Sequence, residues 1–233
     1  GTVTSSGHAA ETLVLFPLMA PAMEVIVSNK LYGGTINLMG KSFRKFGWNA
    51  VFVDNDNPEA FRAAVTEKTR AIFVESLANP GGVIVDLEAI AKIAQEAEVP
   101  LIVDNTMATP WLCRPFEWGA DLVVHSTTKF LSGQGNAMGG IVIDSGRFPW
   151  FGNAKYPSLS EPCPDYNGLT FAETFGDMAF TLYSHAVSLR DLGCTQSPMN
   201  AWITLNGVET LPLRMERHVE NAQKVAGLSL IHI

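Results

Sequence analysis

Charge is scarce in this 233-residue sequence: Asp, Glu, Lys and Arg together make up 17%, against roughly one quarter in ordinary globular domains. With 47% hydrophobic residues, the chain has too much apolar surface to remain unfolded in water, which excludes an intrinsically disordered protein. Basic residues are the scarcer sign. Sixteen Lys and Arg against 23 Asp and Glu leave a net charge of −7, the wrong sign for gripping a phosphate backbone, so no nucleic-acid partner is expected. Cysteine is rare as well. Cys113, Cys163 and Cys194 are odd in number and widely spaced, with no Cys-x-x-Cys, which argues against a disulfide framework or a zinc knuckle and fits a reducing cytoplasm. Long hydrophobic runs are missing too. The longest apolar stretch, residues 13–23, is too short for a span and contains Pro17 and Pro21, and no signal segment opens the chain; the expectation is a soluble, cytoplasmic protein with no membrane partner.

What is present is an alternation of short apolar runs with helical patterns. Low charge over several such runs implies strands buried on both faces, as in a parallel sheet, so the fold class is α/β. The clearest helix covers residues 86–97: Asp86 is a natural N-cap, Leu87, Ile90, Ala91, Ile93, Ala94 and Ala97 follow helical spacing, and Val99-Pro100 stops it. Apolar runs at 71–74 and 101–103 flank it, giving a β-α-β unit, and runs at 51–53, 122–124 and 140–143 add three more strands, with a helical stretch at 35–46. Residues 148–174, with Pro149, Pro157, Pro162 and Pro164 among aromatics, read as an ordered surface excursion. Residues 209–225 carry the dense charge of a solvent-facing helix. The last residues, 227–233, end on exposed apolar side chains without a cap, so the chain is expected to be a fragment. Residues 1–205 would form one large domain, incomplete at its N-terminus, and residues 206–233 the start of a helix leading to a further domain.

Two glycine-rich stretches invite misreading. The run GTINLMGKS at 34–42 is one residue too long for a P-loop, and Gly133-Gln134-Gly135 lacks the third glycine of a dinucleotide fingerprint; it reads as a turn. The informative signal is polar residues at the ends of expected strands, where ligands bind in open α/β sheets. Asn79 and Asp104 follow two of the apolar runs, Ser126, Thr128 and Lys129 a third, and Ser5-Ser6-Gly7 opens a helix. Each alone has a plain explanation: Asp104 as a cap, Lys129 as a solvated surface lysine, the hydroxyls as turn chemistry. Together, a carboxylate, a lysine and a hydroxyl-rich helix N-terminus are what pyridoxal 5'-phosphate requires, with its pyridine nitrogen, aldehyde and phosphate. His125, within an apolar run, reads as a structural histidine, His185 and His218 have no metal-ligand partner at suitable spacing, and no metal site is expected. Cys113 reads as a small buried side chain.

The segments SSGHAA (5–10), LYGGT (31–35), ESLANP (75–80), DNT (104–106) and ADLVVHSTTK (120–129) resemble the Cys/Met-metabolism pyridoxal-phosphate enzymes nearly end to end. Within that family FGW (46–48), PSLSEP (157–162) and RDLG (190–193) resemble the O-acetylhomoserine sulfhydrylases more than the cystathionine enzymes. The resemblance implies the type I fold of pyridoxal-phosphate transferases, a mostly parallel sheet between helices, with pyridoxal 5'-phosphate as cofactor. It implies Lys129 as the Schiff-base lysine and proton carrier, Asp104 paired with the pyridine nitrogen, and Tyr32 stacked on the ring with a share in proton transfer. Ser6, Gly7 and His8 at the helix N-terminus, with the Ser126 and Thr128 hydroxyls, would hold the phosphate; Asn79 would bond the ring hydroxyl and Thr106 sit beside the ring. The implied reaction is γ-replacement in methionine biosynthesis: O-acetyl-L-homoserine and sulfide give L-homocysteine and acetate, in a homo-oligomer arranged as a dimer of dimers. Family members add a Tyr-x-Arg segment before this region, reaching a neighbour's phosphate, and a substrate-carboxylate arginine after it. The alternatives are cystathionine γ-synthase, a methionine or cystathionine γ-lyase, or a non-catalytic fragment that only assembles with homologous subunits.

Overall fold

The computed structural model describes residues 1–54 and 57–230; Ile231, His232 and Ile233, and with them the end of the expected uncapped apolar tail, lie outside the described residues. Seven strands form one sheet in the order β1-β7-β6-β5-β4-β2-β3: β1 Thr2–Thr4, β2 Glu24–Ser28, β3 Asn49–Val53, β4 Thr69–Glu75, β5 Leu101–Asp104, β6 Leu122–Ser126 and β7 Gly140–Asp144. Pairs β2–β3, β2–β4, β4–β5 and β5–β6 are parallel, while β7 runs antiparallel to both β6 and β1. Period-two alternation decides which side chain meets which layer. On β4, Ala71 and Phe73 join one hydrophobic cluster while Ile72 and Val74 join the other, and on β5 Ile102 faces the first and Leu101 and Val103 the second. Both faces are therefore covered, which is why these strands read as continuous apolar runs.

Helix α1 (Gly7–Leu15) covers the first face and buries Leu13, Val14 and Leu15. Two short helices, α2 (Gly33–Asn37) and α3 (Pro58–Ala64), follow, and α4 (Leu87–Glu96) covers the second face. Asp86 Oδ1 accepts from Ala89 N at 3.0 Å, capping α4 as its sequence predicts, and Leu87, Ile90, Ile93 and Ala94 are its buried stripe. The helical stretch expected at 35–46 is present but uneven: α2 widens into a π-turn at Leu38–Ser42 and tightens into a 3-10 turn at Phe43–Phe46. Strands β1 and β2 escaped the sequence reading, β1 because three residues show no alternation and β2 because its apolar residues directly follow the 13–23 run.

The segment 148–174 lies mostly at the surface, as expected, and is anchored more deeply than its prolines suggest. Its four prolines are exposed, as an ordered surface excursion implies, but Trp150, Tyr156, Leu159 and Phe171 are buried in the cluster under α1 and pin it to the core, and Tyr156 Oη donates to the Arg70 carbonyl at 3.0 Å. Trp150 stacks on Phe180 and meets Tyr156 edge-on. The prolines only start short helical turns at Pro157 and Pro164; the aromatic area between them drives burial. Cys113 is half-buried at the edge of the α4 cluster rather than fully inside. His125 is buried on β6, hydrogen-bonded to the Asn105 backbone, and burial pushes its pKa down to about 4, so it is neutral at pH 7. Helices α5 (Pro198–Glu209) and α6 (Leu211–Leu230) end the described chain, so residue 206 lies inside α5 and the charged helix starts at Leu211. Most of α6 is exposed; Leu211 and Met215 anchor it on Leu131. Among the described residues no helix is long and apolar enough to cross a membrane.

Candidate active site

Strands β4, β5 and β6 end side by side, and a cavity of about 770 Å³ opens beyond their carboxyl ends, between them and the N-terminus of α1. All ten residues singled out in the sequence line it: Ser6, Gly7, His8, Tyr32, Asn79, Asp104, Thr106, Ser126, Thr128 and Lys129. They come from five separate stretches of chain, each leaving a strand or opening a helix. In a parallel sheet every such exit lies on the same edge, so convergence follows from topology.

Helix α1 begins with Ser6, whose Oγ accepts from Ala9 N at 3.1 Å. The cap spends the Ser6 side chain on the helix itself and leaves the free backbone N–H groups of the first turn turned to the cavity mouth, where the helix dipole favours an anion. Gly7 is required by proximity: a Cβ there would lie 2.7 Å from Ser126 Cβ. Gly7→Ala is therefore expected to push the Ser126 strand end away from α1, costing about 1–3 kcal/mol of stability and weakening anion binding in the cavity. Thermal unfolding and a phosphate-ester titration on the same sample check both effects.

Asp104, at the end of β5, is held on one oxygen. Oδ1 accepts from Thr106 N at 2.9 Å and from Thr106 Oγ1 at 2.5 Å, and Thr106 Oγ1 in turn accepts from Ser126 N at 2.8 Å. The Thr106 hydroxyl thus has its direction fixed: donor to Asp104, acceptor from β6. The sequence resemblance puts Thr106 beside the ring; it lines the cavity, and its hydroxyl is engaged in orienting the acid. Burial raises the Asp104 pKa and the two Thr106 bonds oppose that rise. The Thr128 hydroxyl is engaged with Gly139, accepting from its N–H at 3.1 Å and donating to its carbonyl at 3.2 Å. Lys129 sits in the turn after β6, solvent-accessible from the cavity side, with its carbonyl accepting from Gly133 N at 3.0 Å. Gly133 and Gly135 form the expected turn, both with positive φ.

Tyr32, 48% exposed, is held by its backbone rather than its ring. Glu75, the last residue of β4, accepts from Tyr32 N on Oε1 at 2.6 Å and from Asn79 N on Oε2 at 2.9 Å. One carboxyl therefore sets the position of two cavity residues from different loops, and burial raises its pKa to about 7. The His8 and Tyr32 rings lie 5.9 Å apart, and Gly34 keeps that corner clear, since a Cβ there would come within 2.5 Å of Tyr32 Cε1. His8 has its pKa lowered by burial and by the Lys129 charge. The sequence reading did not place Glu75, Glu11, Phe130 or His218 at the site, and these also line the cavity. Glu75 carries the same signal as Asp104, an acid directly after an apolar strand run.

The donor set suits a phosphorylated pyridine aldehyde. An acid fixed on one oxygen, a primary amine, and a helix N-terminus closed to any side chain at Gly7 meet in one cavity, answering the ring nitrogen, the aldehyde and the phosphate. Fold and cavity together define a type I pyridoxal-phosphate domain. The profile of the Cys/Met metabolism PLP-dependent enzymes matches residues 1–228, and the chain belongs to that family. Its cofactor is pyridoxal 5'-phosphate. The chain is 50% identical over 231 residues to the O-acetyl-L-homoserine sulfhydrylase of Leptospira meyeri, covering 96% of this chain and 52% of that protein. Among solved structures it is similar to a Campylobacter jejuni protein assigned as an O-acetylhomoserine (thiol)-lyase and carrying a pyridoxyl-lysine monophosphate, with TM-score 0.94, 39% identity, and coverage of 97% of this chain and 56% of that one. The O-acetylhomoserine sulfhydrylase of Wolinella succinogenes matches with TM-score 0.85 and 35% identity over 98% of this chain and 61% of that one. The chain spans about half the length of the curated relatives it matches.

Proposed function

We propose that the whole protein converts O-acetyl-L-homoserine and sulfide to L-homocysteine and acetate, a γ-replacement in methionine biosynthesis. The observation that carries the reading is the meeting of Lys129, Asp104 and the α1 N-terminus in one cavity; the names of the similar proteins from Leptospira meyeri and Wolinella succinogenes supply the substrate class. When bound, pyridoxal phosphate supplies an aldehyde that links to amines and a ring that withdraws electrons from the substrate carbon skeleton. On this reading the backbone N–H groups of Gly7 and His8 at the capped turn begun by Ser6 hold the phosphate, with the hydroxyl of Ser126; the Thr128 hydroxyl, which the sequence expectation assigns to the phosphate, gives its one proton to the Gly139 carbonyl and braces the turn instead. Asp104, oriented by Thr106, keeps a proton on the ring nitrogen. Asn79 hydrogen-bonds the ring hydroxyl and Tyr32 covers a ring face, both set by the Glu75 carboxyl. The Lys129 amine holds the cofactor and, when the substrate amine takes its place, removes the proton at the substrate Cα.

Residues 1–205 would then be the cofactor domain, the boundary falling within α5, and α6 the lead into a second domain. The family resemblance supports a dimer of dimers, and the three unpaired cysteines support a cytoplasmic site of action. The test is an assay of the whole, cofactor-loaded protein with O-acetyl-L-homoserine and either sulfide or cysteine. Faster homocysteine formation with sulfide supports the reading; robust cystathionine formation from cysteine with no reaction of sulfide overturns it in favour of a cystathionine γ-synthase.

A further inference from the structure

Helix α1 buries an apolar stripe, and Glu11 stands within it. Its side chain is 3% exposed and lines the cofactor cavity, yet nothing in the reaction just described uses it. Its two oxygens are in unequal circumstances. Oε1 accepts from the buried Thr35 Oγ1 at 2.7 Å, whereas Oε2 is buried with no hydrogen-bond partner among the described residues. A buried carboxyl oxygen left unpaired is costly, and more so when it carries charge. Among the described buried polar side-chain atoms without a partner, Glu11 Oε2 is set apart by belonging to a residue that lines the cavity, where a bound group can complete it.

The charges around it point to the protonation state. Asp104 and Glu75 act on Glu11 through space, and Lys129, His8, Tyr32 and His218 line the same cavity. On β6, β7 and the helical turn Ser184–Leu189, which pack against α1, the titratable side chains are the neutral His125, Asp144 and His185. Three ionised acids around a single lysine would leave uncompensated negative charge in a partly dry cavity.

Resting on the reading of this cavity as the cofactor site, we propose that Glu11 is a positioning residue for the cofactor: an uncharged acid, oriented by Thr35, that presents Oε2–H to the bound group and leaves the negative charge of the site to Asp104. Burial raises its pKa well above the usual carboxyl range, Asp104 and Glu75 push the same way, and the Thr35 hydrogen bond opposes them. The neutral acid and a glutamine amide can make the same pair of contacts, a carbonyl for Thr35 and a donor for the cavity; leucine can make neither.

The test uses the whole protein, stripped of cofactor and then titrated with pyridoxal 5'-phosphate by dialysis. Glu11→Leu is expected to weaken binding about tenfold, the worth of one buried hydrogen bond, and Glu11→Gln to recover most of that loss. An infrared difference spectrum between cofactor-free wild type and Glu11→Gln at neutral pH should show a protonated-carboxyl C=O stretch present in the wild type alone. That comparison decides the matter if Glu11→Leu fails to fold. Binding by Glu11→Leu equal to wild type, a Glu11→Gln protein as weak as Glu11→Leu, or no carboxyl band overturns the proposal and leaves the cofactor site standing. A wild-type protein with no affinity for the cofactor overturns both.

Discussion

Lys129→Ala is expected to abolish the visible absorbance of the cofactor-loaded whole protein and to lower kcat by about 10³-fold or more, some 4 kcal/mol of transition-state stabilisation. On the proposed function two tasks meet in one amine. Lys129 leaves β6 in a turn whose carbonyls are tied down by Gly133 N and Ser132 Oγ, so its Cα is fixed while the four-carbon stem stays free to swing. Alanine removes the amine and keeps that turn, and the variant is expected to fold as wild type by circular dichroism. Restoration of part of the rate by a small added amine would assign the loss to proton transfer rather than to a disturbed fold.

Asp104→Asn is expected to lower kcat by roughly 10²-fold to 10³-fold, with cofactor still bound. The substitution isolates charge from geometry: the Asn Oδ1 can accept the same two bonds from Thr106 that Asp104 Oδ1 accepts, so the side chain keeps its orientation and loses its charge. A neutral partner does not keep the ring nitrogen protonated, and the ring withdraws electrons less strongly from the substrate. The loss should fall on kcat more than on KM, because the charge is needed when the substrate carbon becomes anionic and not when substrate binds. Thr106→Val supplies the complement. It keeps the Asp104 charge but removes the hydroxyl that links Asp104 to Ser126 N.

The fold was legible in the sequence wherever one physical signal acted alone. Helix α4 has a cap, a stripe and a proline stop, and β4, β5 and β6 are runs of apolar residues each ended by a polar one. Where two signals competed, one hid the other. In 148–174 the four prolines signalled the surface, where they do lie, and masked Trp150, Tyr156 and Phe171, which are buried and anchor the segment. The single reversed strand, β7, carries no mark of direction, since an apolar run is the same read either way.

The site was legible to the extent that its chemistry sits at strand ends, which is how Asp104 and Lys129 drew attention. Glu75 ends its strand run as Asp104 does, but its task, accepting from the backbone N–H groups of Tyr32 and Asn79, leaves no trace in side-chain spacing. Glu11 was hidden for a different reason. A lone acid in an amphipathic helix normally faces water, and only the placement of Thr35 opposite it shows that this one faces inward. The Thr106 and Thr128 hydroxyls look available in the sequence, but tertiary neighbours, Asp104 and Gly139, already engage them.

The proposed function requires the Lys129 amine and the Asp104 carboxyl to serve one bound pyridoxal phosphate. Borohydride reduction of the cofactor-loaded whole protein, followed by proteolysis and mass spectrometry, tests it most directly. A stable pyridoxyl adduct is expected on the peptide containing Lys129, with the label much reduced in Gly7→Ala. An adduct on any other lysine, or none at all from a protein that retains its fold, would contradict it.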